Sequence, residues 1–291
     1  MRAREAPLSF LVPMGTGAWW ASTLRAVHRG TPPLLRRWPA GQRSSARRPP
    51  SQCTRLHASD PAVTPTTGTT ETPTASPPSL PARGNTLVVV GLGNPGERFA
   101  NTRHNAGFLA VDLVAQAHRA GAFRLESKFR GLHTTFRSQR GQKVHLLKPV
   151  TFMNQSGQAV RALLDYTKAL AGASSAPNLH VLVLVDDTAL SFGELRFRPR
   201  GGAGGHNGLK SVERALGSRE YARLRIGVGG GRTAGNGSSV DHVLGEFNKR
   251  ERQFLQEHVL IDCLQVVDAW LAMDDLHRVM ELCNSTLKQQ R

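Results

Sequence analysis

The stretch Thr86-Leu87-Val88-Val89-Val90-Gly91-Leu92-Gly93-Asn94-Pro95-Gly96 decides how the chain is read. Asn85–Val90 is a β-branched apolar run stopped by Gly91, which predicts a buried strand. The residues after it satisfy G-x-G-x-x-G, the pattern of dinucleotide-binding turns. That reading needs a helix to begin at the third glycine, so that its N-terminus faces a pyrophosphate. The next residues, Glu97 to His104 (ERFANTRH), lack helical apolar periodicity. The acid about 20 residues further on, Asp112, falls inside the next predicted helix and not at the tip of a second strand. The stretch is therefore read as a buried strand followed by a polar turn, in which Asn94, placed before Pro95, is pushed to an extended backbone.

Outward from this strand, Asn105–Gly121 has helical spacing, with apolar positions at Phe108, Val111, Leu113, Val114 and Ala117. Leu132–Phe136 and Lys143–Leu147 flank Gly141 as a hairpin, and Gly157–Leu170 reads as a helix. His180–Val185 is a second buried strand ending at Asp186-Asp187, and Glu194–Phe197 a short strand. The glycine-rich run Gly201–Gly208 opens a helix through Leu216. Arg223–Val228 is a further strand, Lys249–Leu271 a helix, and a last helix follows. Strands alternating with helices predict an α/β layered domain.

Three clusters carry chemistry. Ends of strands in α/β sheets are where ligand sites gather, and His104 lies in the polar stretch after the first strand. An imidazole that titrates near neutrality suits it as a general base, the alternative being a surface or capping residue. The second cluster is Lys148–Gly157 (KPVTFMNQSG), where Thr151 or Asn154 could cap the following helix or Asn154 could hold a substrate amide. The third starts at Asp186-Asp187 and continues in GGAGGHNG (Gly201–Gly208). A carboxylate at a strand end can orient a histidine, and glycines let a bulky ligand approach the backbone. The plain alternative is a solvated acid pair and a flexible loop. Arg196, Arg198, Arg200, Lys210 and Arg225 surround this cluster, a basic set suited to phosphates.

Composition sets the bounds. The 291 residues hold 38 Lys and Arg against 21 Asp and Glu, a formal charge of +17. Residues 1–83 carry eleven Arg, no Lys and three acids (Glu5, Asp60, Glu71), or +8; the other 208 residues keep 27 basic and 18 acidic groups, or +9. The Arg-rich, Ser-rich, acid-poor start and the Thr/Pro/Ser tract behind it predict an organellar transit peptide and a disordered linker, with a plastid favoured over a mitochondrion. Residues 84–291 are expected to form the folded domain. No apolar run reaches the ~20 residues of a membrane-spanning helix. Cys53, Cys263 and Cys283 form no CxxC pair, which argues against a disulfide framework or structural zinc.

Taken together, VVGLGNPGERFANTRHNAGF, KPVTFMNQSGQAV, the Asp186 strand end, GGAGGHNGLK and RLRIGVG, in this order and spacing, resemble the bacterial-type peptidyl-tRNA hydrolase family from about Thr86 to near the C-terminus. The resemblance implies a single α/β domain with a twisted mixed β-sheet flanked by helices, and a monomer. It implies hydrolysis of the ester between a peptide and the terminal ribose of tRNA, with no metal or cofactor. His104 is then the base that activates water, Asp186 the acid that orients it, and Asn94 the amide beside water and ester. Asn154 and Asn207 hold the peptide and the tRNA end, and Met153 lines the peptide groove. Arg198 and Arg225 fall at the clamp on tRNA phosphate, with Lys210 of the basic set beside them. Phe99 stands at a substrate position where the family often has Tyr, Ala203 where it often has His, and Asp187 where it often has Glu. No Ser or Cys sits in a G-x-S-x-G setting, in keeping with attack by water. A rival resemblance is to chloroplast proteins of the same family type that act in group II intron splicing by binding RNA and a partner protein.

Overall fold

The computed structural model describes residues 86–171, 180–230 and 239–286. The predicted transit peptide and linker, residues 1–83, lie outside the described residues. The order of elements is β1 (Thr86–Gly91), α1 (Ala106–Ala117), β2 (Arg124–Glu126), β3 (Gly131–Arg137), β4 (Lys143–Pro149), α2 (Ser156–Ala171), β5 (Val181–Asp187), β6 (Leu195–Arg198), α3 (Asn207–Leu216) and β7 (Ala222–Gly227). After these come α4 (Ser239–Leu244), α5 (Lys249–Phe254), α6 (Leu260–Ala272) and α7 (Leu276–Glu281). A π-helical turn over Leu255–Val259 joins α5 to α6, so the single helix expected over Lys249–Leu271 is continuous but wound wider at its middle.

One seven-stranded sheet has the order β2-β3-β4-β1-β5-β7-β6. Strands β4, β1, β5 and β7 run parallel, while β2, β3 and β6 are antiparallel to their neighbours. The sheet is therefore mixed, and the domain is α/β as expected. β1 and β5 sit at its centre, and Leu87, Val89, Val90 and Val181–Val185 have no exposed surface. Strands covered on both faces need continuous apolar sequence, which is what these two runs supply. Each fully buried Val or Leu contributes about 1.5–3 kcal/mol.

Two apolar clusters cover the two faces. α1 and α6 pack on one, through residues such as Ala110, Val111, Leu264 and Trp270. α2 and α3 pack on the other, through Val160, Leu163, Leu209 and Val212. The short outer edge β6 is closed by a side chain: Asn284 accepts from the Phe197 N–H at 3.0 Å and donates to its carbonyl at 3.3 Å, which blunts an otherwise open strand edge.

The turn after β1 settles the G-x-G-x-x-G question. Gly96 leads into a single 3-10 turn, Glu97–Phe99, and the first α-helix begins only at Ala106. Asp112 lies on α1, where its carboxylate takes the Lys148 ammonium at 2.5 Å. No α-helix begins at the third glycine, as a dinucleotide-binding turn requires, so that arrangement is not built. The glycines serve close packing instead. A Cβ on Gly91 would collide with the Gly107 carbonyl oxygen, and one on Gly107 would collide with the Leu184 carbonyl oxygen. Only with both residues bare can α1 press onto β1 and β5. That packing carries the turn Arg103–Asn105 over the carboxyl ends of these strands.

Candidate active site

The chain leaving β1 leads to α1 on one face, and the chain leaving β4 leads to α2 on the other. Connections that part to opposite faces open a crevice outside the strand ends, the usual position of a ligand in such sheets. Four segments meet there: Leu92–Pro95 after β1, Arg103–Asn105 before α1, Met153–Gln155 after β4, and the end of β5 with the loop into α3.

Asp186 is at the centre. It is 2% exposed, and its carboxylate accepts from two imidazoles. His104 Nδ1 lies 2.9 Å from Oδ1 and 3.0 Å from Oδ2, and His206 Nε2 lies 3.0 Å from Oδ1. The two rings are 5.0 Å apart at their centroids. Burial alone would push the Asp186 carboxyl up; its electrostatic interaction with His206 and the N–H donors of both histidines outweigh it and hold the group well below the usual carboxylate range.

The bonds assign the tautomers. His206 is the N-cap of α3, and its Nδ1 accepts from the Gly208 N–H at 3.1 Å and the Leu209 N–H at 3.3 Å. Its proton therefore sits on Nε2, toward Asp186. His104 donates from Nδ1, which leaves the lone pair of Nε2 without a partner among the described residues, on a side chain 13% exposed. A neutral imidazole so held can take a proton from water, and the carboxylate stabilises the imidazolium that forms.

Asn94 is fixed from three directions. Its N–H donates to Asn105 Oδ1 at 2.9 Å, its carbonyl accepts from Asn105 Nδ2 at 3.0 Å, and its own Oδ1 accepts from the Met153 N–H at 2.9 Å. The last bond orients the amide, so Nδ2 is left as a donor at the crevice. Met153 is buried, and its sulfur lies 2.5 Å from where a Cβ on Gly208 would stand. A bare residue there is what allows the β4–α2 segment to meet α3 beside His206.

Asn154 and Asn207 are both exposed, at the starts of the segments that flank the crevice. Neither capping alternative forms in the second cluster. Among the described residues the Thr151 hydroxyl has no partner, and the 3-10 turn before α2 has no side-chain cap. Phe99 is half-buried, with the Arg98 guanidinium 4.5 Å above its ring. Ala203 is buried in the core under the glycine-rich loop.

The basic set is dispersed more than its spacing suggested. Arg196 pairs with Glu194 at 3.2 Å and Arg200 with Glu220 at 3.7 Å. Arg198 lies against the Met280 thioether of α7 at 3.8 Å, and no bond joins it to the His104 cluster. Arg225 is turned inward: Nη1 donates to Asp187 Oδ2 at 2.9 Å and Nη2 to the Gly202 carbonyl at 2.8 Å. Lys210 is exposed, one turn into α3. Sequence reasoning gave no role to His206 or Asn105. A histidine directly before a helix start, after a glycine pair, marks the first only as a helix cap, since its bond to Asp186 is made by the fold.

Among the described residues, His104, Asp186 and His206 are the group able to offer three ligand atoms to a cation, all within 4.8 Å of one another. Metal ligation needs deprotonated nitrogens. Here both imidazole nitrogens facing Asp186 carry protons, so the arrangement is a hydrogen-bonded acid–base cluster. No helix of the described residues is long and apolar enough to cross a membrane.

The peptidyl-tRNA hydrolase family matches residues 88–291. The chain is 45% identical over 190 residues to the peptidyl-tRNA hydrolase of Synechococcus sp. strain CC9311, covering 64% of this chain and 85% of the relative. It is 42% identical over 198 residues to that of Gloeobacter violaceus, covering 68% and 93%. The crystal structure of peptidyl-tRNA hydrolase from Acinetobacter baumannii superimposes with a TM-score of 0.59 at 30% identity, over 69% of this chain and 95% of that one. A match through the whole sheet and all four segments of the crevice means that the chain belongs to the peptidyl-tRNA hydrolase family.

Proposed function

We propose that the chain hydrolyses the ester of peptidyl-tRNA, with His104 as the general base. One observation carries this reading: His104 gives its Nδ1 proton to a buried carboxylate and keeps Nε2 free at the mouth of the crevice. His104 Nε2 takes a proton from water as the water oxygen bonds to the ester carbonyl carbon. The Asn94 amide donates to the oxyanion that develops there. The bond to the ribose oxygen then breaks, and the leaving oxygen takes the proton back from His104, giving a free carboxylic acid and a free tRNA hydroxyl. Asn154 and Asn207, exposed on either side, hold the peptide and the tRNA end. A domain charge of +9 attracts the polyanion. The composition of residues 1–83 supports a role in organellar translation, preferentially in a plastid, and cell fractionation with N-terminal sequencing of the mature chain tests it.

The deciding assay is release of peptide from N-blocked aminoacyl-tRNA by the purified protein. Wild-type turnover is expected, with His104→Ala slower by about 10²–10⁴-fold and tRNA affinity nearly kept, the range for loss of a general base. A wild-type protein that binds an intron RNA or a partner protein without turnover would instead support the splicing-type relatives as its model.

A further inference from the structure

We infer that Arg103 is a positioning residue for the general base: it fastens the turn that carries His104 to the start of α5 through Glu251, and so sets the direction of His104 Nε2. This deepens the reading of His104 as the base and rests on it.

Asp186 alone does not aim His104. The imidazole Nδ1 lies 2.9 Å from one carboxylate oxygen and 3.0 Å from the other. A proton shared between two near-equal acceptors fixes the distance of the ring but lets it swing from one oxygen to the other. The aim of Nε2, on the far side of the ring, is therefore left to the backbone beneath it. That backbone is a single 3-10 turn, Arg103–Asn105, with no side-chain cap at its start. Such turns have poor hydrogen-bond geometry of their own. Asn105 locks one end of the turn to Asn94.

Arg103 locks the other end. Its N–H donates to the Gly245 carbonyl at 3.1 Å, the Phe247 N–H donates to the Asn101 carbonyl at 3.2 Å, and Thr102 bridges Glu246 between them. One bridge pair is a slight attachment by itself. The Arg103 side chain reinforces it. Nη1 donates to the Glu246 carbonyl at 2.8 Å and Nη2 to Glu251 Oε2 at 2.7 Å, with the guanidinium carbon 5.5 Å from the centre of the Phe247 ring. The same Oε2 accepts from the Asn248 N–H at 2.8 Å, closing the capping box of α5. One carboxylate oxygen thus serves both a helix start and the turn that bears His104. The anchor is firm, because Phe247, Leu255 and Leu260 are buried in the core on either side of α5. The ion pair is sheltered, its side chains 13% and 24% exposed, and Arg103 Nε is buried without a partner among the described residues. A guanidinium so enclosed depends on its carboxylate, and the point charge of a lysine does not reproduce its two-pronged hold.

The test is steady-state hydrolysis of N-acetyl-aminoacyl-tRNA by the full chain, with kcat and KM read separately. Beside it stands the proton NMR signal of His104 Nδ1–H in 15N-histidine-labelled protein, recognised by its absence in His104→Gln. Arg103→Gln should lower kcat by about 10–10²-fold with KM within about twofold, the scale of misplacing a reacting group by about 1 Å, and should shift or broaden the Nδ1–H signal. Arg103→Lys should recover part of the loss. Glu251→Gln keeps the capping box, which accepts Gln as well as Glu, and takes only the charge from Arg103. It should lower kcat in the same direction, and the double variant should lose no more than Arg103→Gln alone. Arg140→Gln, which breaks an exposed pair with Asp274 outside the crevice, should leave both readouts unchanged. A kcat loss with an unmoved Nδ1–H signal overturns the assignment, since Arg103 would then serve the fold only. So do additive losses in the double variant, or an equal loss in Arg140→Gln. Absence of wild-type turnover counts against the hydrolase reading itself, while the Nδ1–H signal still reports whether Arg103 orients His104.

Discussion

At the scale of single residues, the site depends on one carboxylate serving two imidazoles. Asp186→Asn tests this with little change of shape. The amide keeps one acceptor oxygen, but it turns the other atom facing His104 Nδ1, now an oxygen at 3.0 Å, into an N–H₂ donor and removes the negative charge that stabilises the imidazolium. His206 is the less free to change, because its Nδ1 is engaged by two helix amides. His104 therefore loses its orienting partner or turns its lone pair inward. Turnover should fall by about 10²–10⁴-fold with the melting temperature close to wild type, and a loss under tenfold would mean that Asp186 does not orient the base. The lowered titration of Asp186 has a definite sign. Its stabilising effect is complete above the ordinary carboxylate range and disappears only as pH falls through the lowered value, so Asp186 adds no pH dependence near neutrality. Single-residue chemistry was partly legible in the sequence. A histidine in a polar turn and an acid closing an apolar strand are both visible in one dimension, and the fold brings them to 2.9 Å. The share taken by His206 was not visible, because it depends on β6 and a glycine loop returning the chain to the same carboxylate.

At the scale of elements, long runs were read well and short ones poorly, for a physical reason. β1 and β5 are buried on both faces and must be apolar throughout, and α1 must repeat apolar residues to cover them. β2 has three residues and α4 six, too few for any period to show, and tertiary pairing alone defines them. The β3–β4 hairpin was legible as strands, but its most sensitive pair was not. His133 Nε2 and His145 Nδ1 are 2.9 Å apart, and His145 is 1% exposed with its Nε2 buried and unpartnered. Burial, with the nearby charges of His133 and Lys143, lowers His145 to about 3; His133 is lowered as well, mainly by burial, with Lys128 and Lys143 lowering it further and Glu126 acting against them. Below the ordinary histidine value of about 6.5 the unfolded chain binds a proton here that the folded chain refuses, so stability must fall as pH falls through that value. Urea unfolding at pH 7, 6 and 5 should show a loss on the order of 1 kcal/mol per pH unit. His145→Leu should flatten this dependence, and an equal dependence in that variant would place the acid sensitivity elsewhere.

At the scale of the whole molecule, the bare glycines, the sheet order and the charge act together. Close approach of α1 to β1 and β5 sets His104 above the strand ends, and the parting of α1 and α2 opens the crevice it faces. The charge divides along the same line. All groups that form the crevice belong to residues 86 onward, whose part of the chain carries +9, while residues 1–83 carry +8 with no part in the family match. Cations outside the site still attract RNA without regard to geometry, and such attraction is strongly screened by salt. Removing residues 1–83 should therefore leave kcat within about twofold, since the groups that act only in the transition state are untouched. The same truncation should weaken binding of non-substrate RNA at low salt and flatten its salt slope, with little change in KM for peptidyl-tRNA at physiological ionic strength. Kinetics of the 84–291 chain beside the full chain, with RNA binding at two salt concentrations, makes the comparison. A large fall in kcat would mean that residues 1–83 complete the site, and an unchanged salt slope would mean that their arginines do not reach bound RNA.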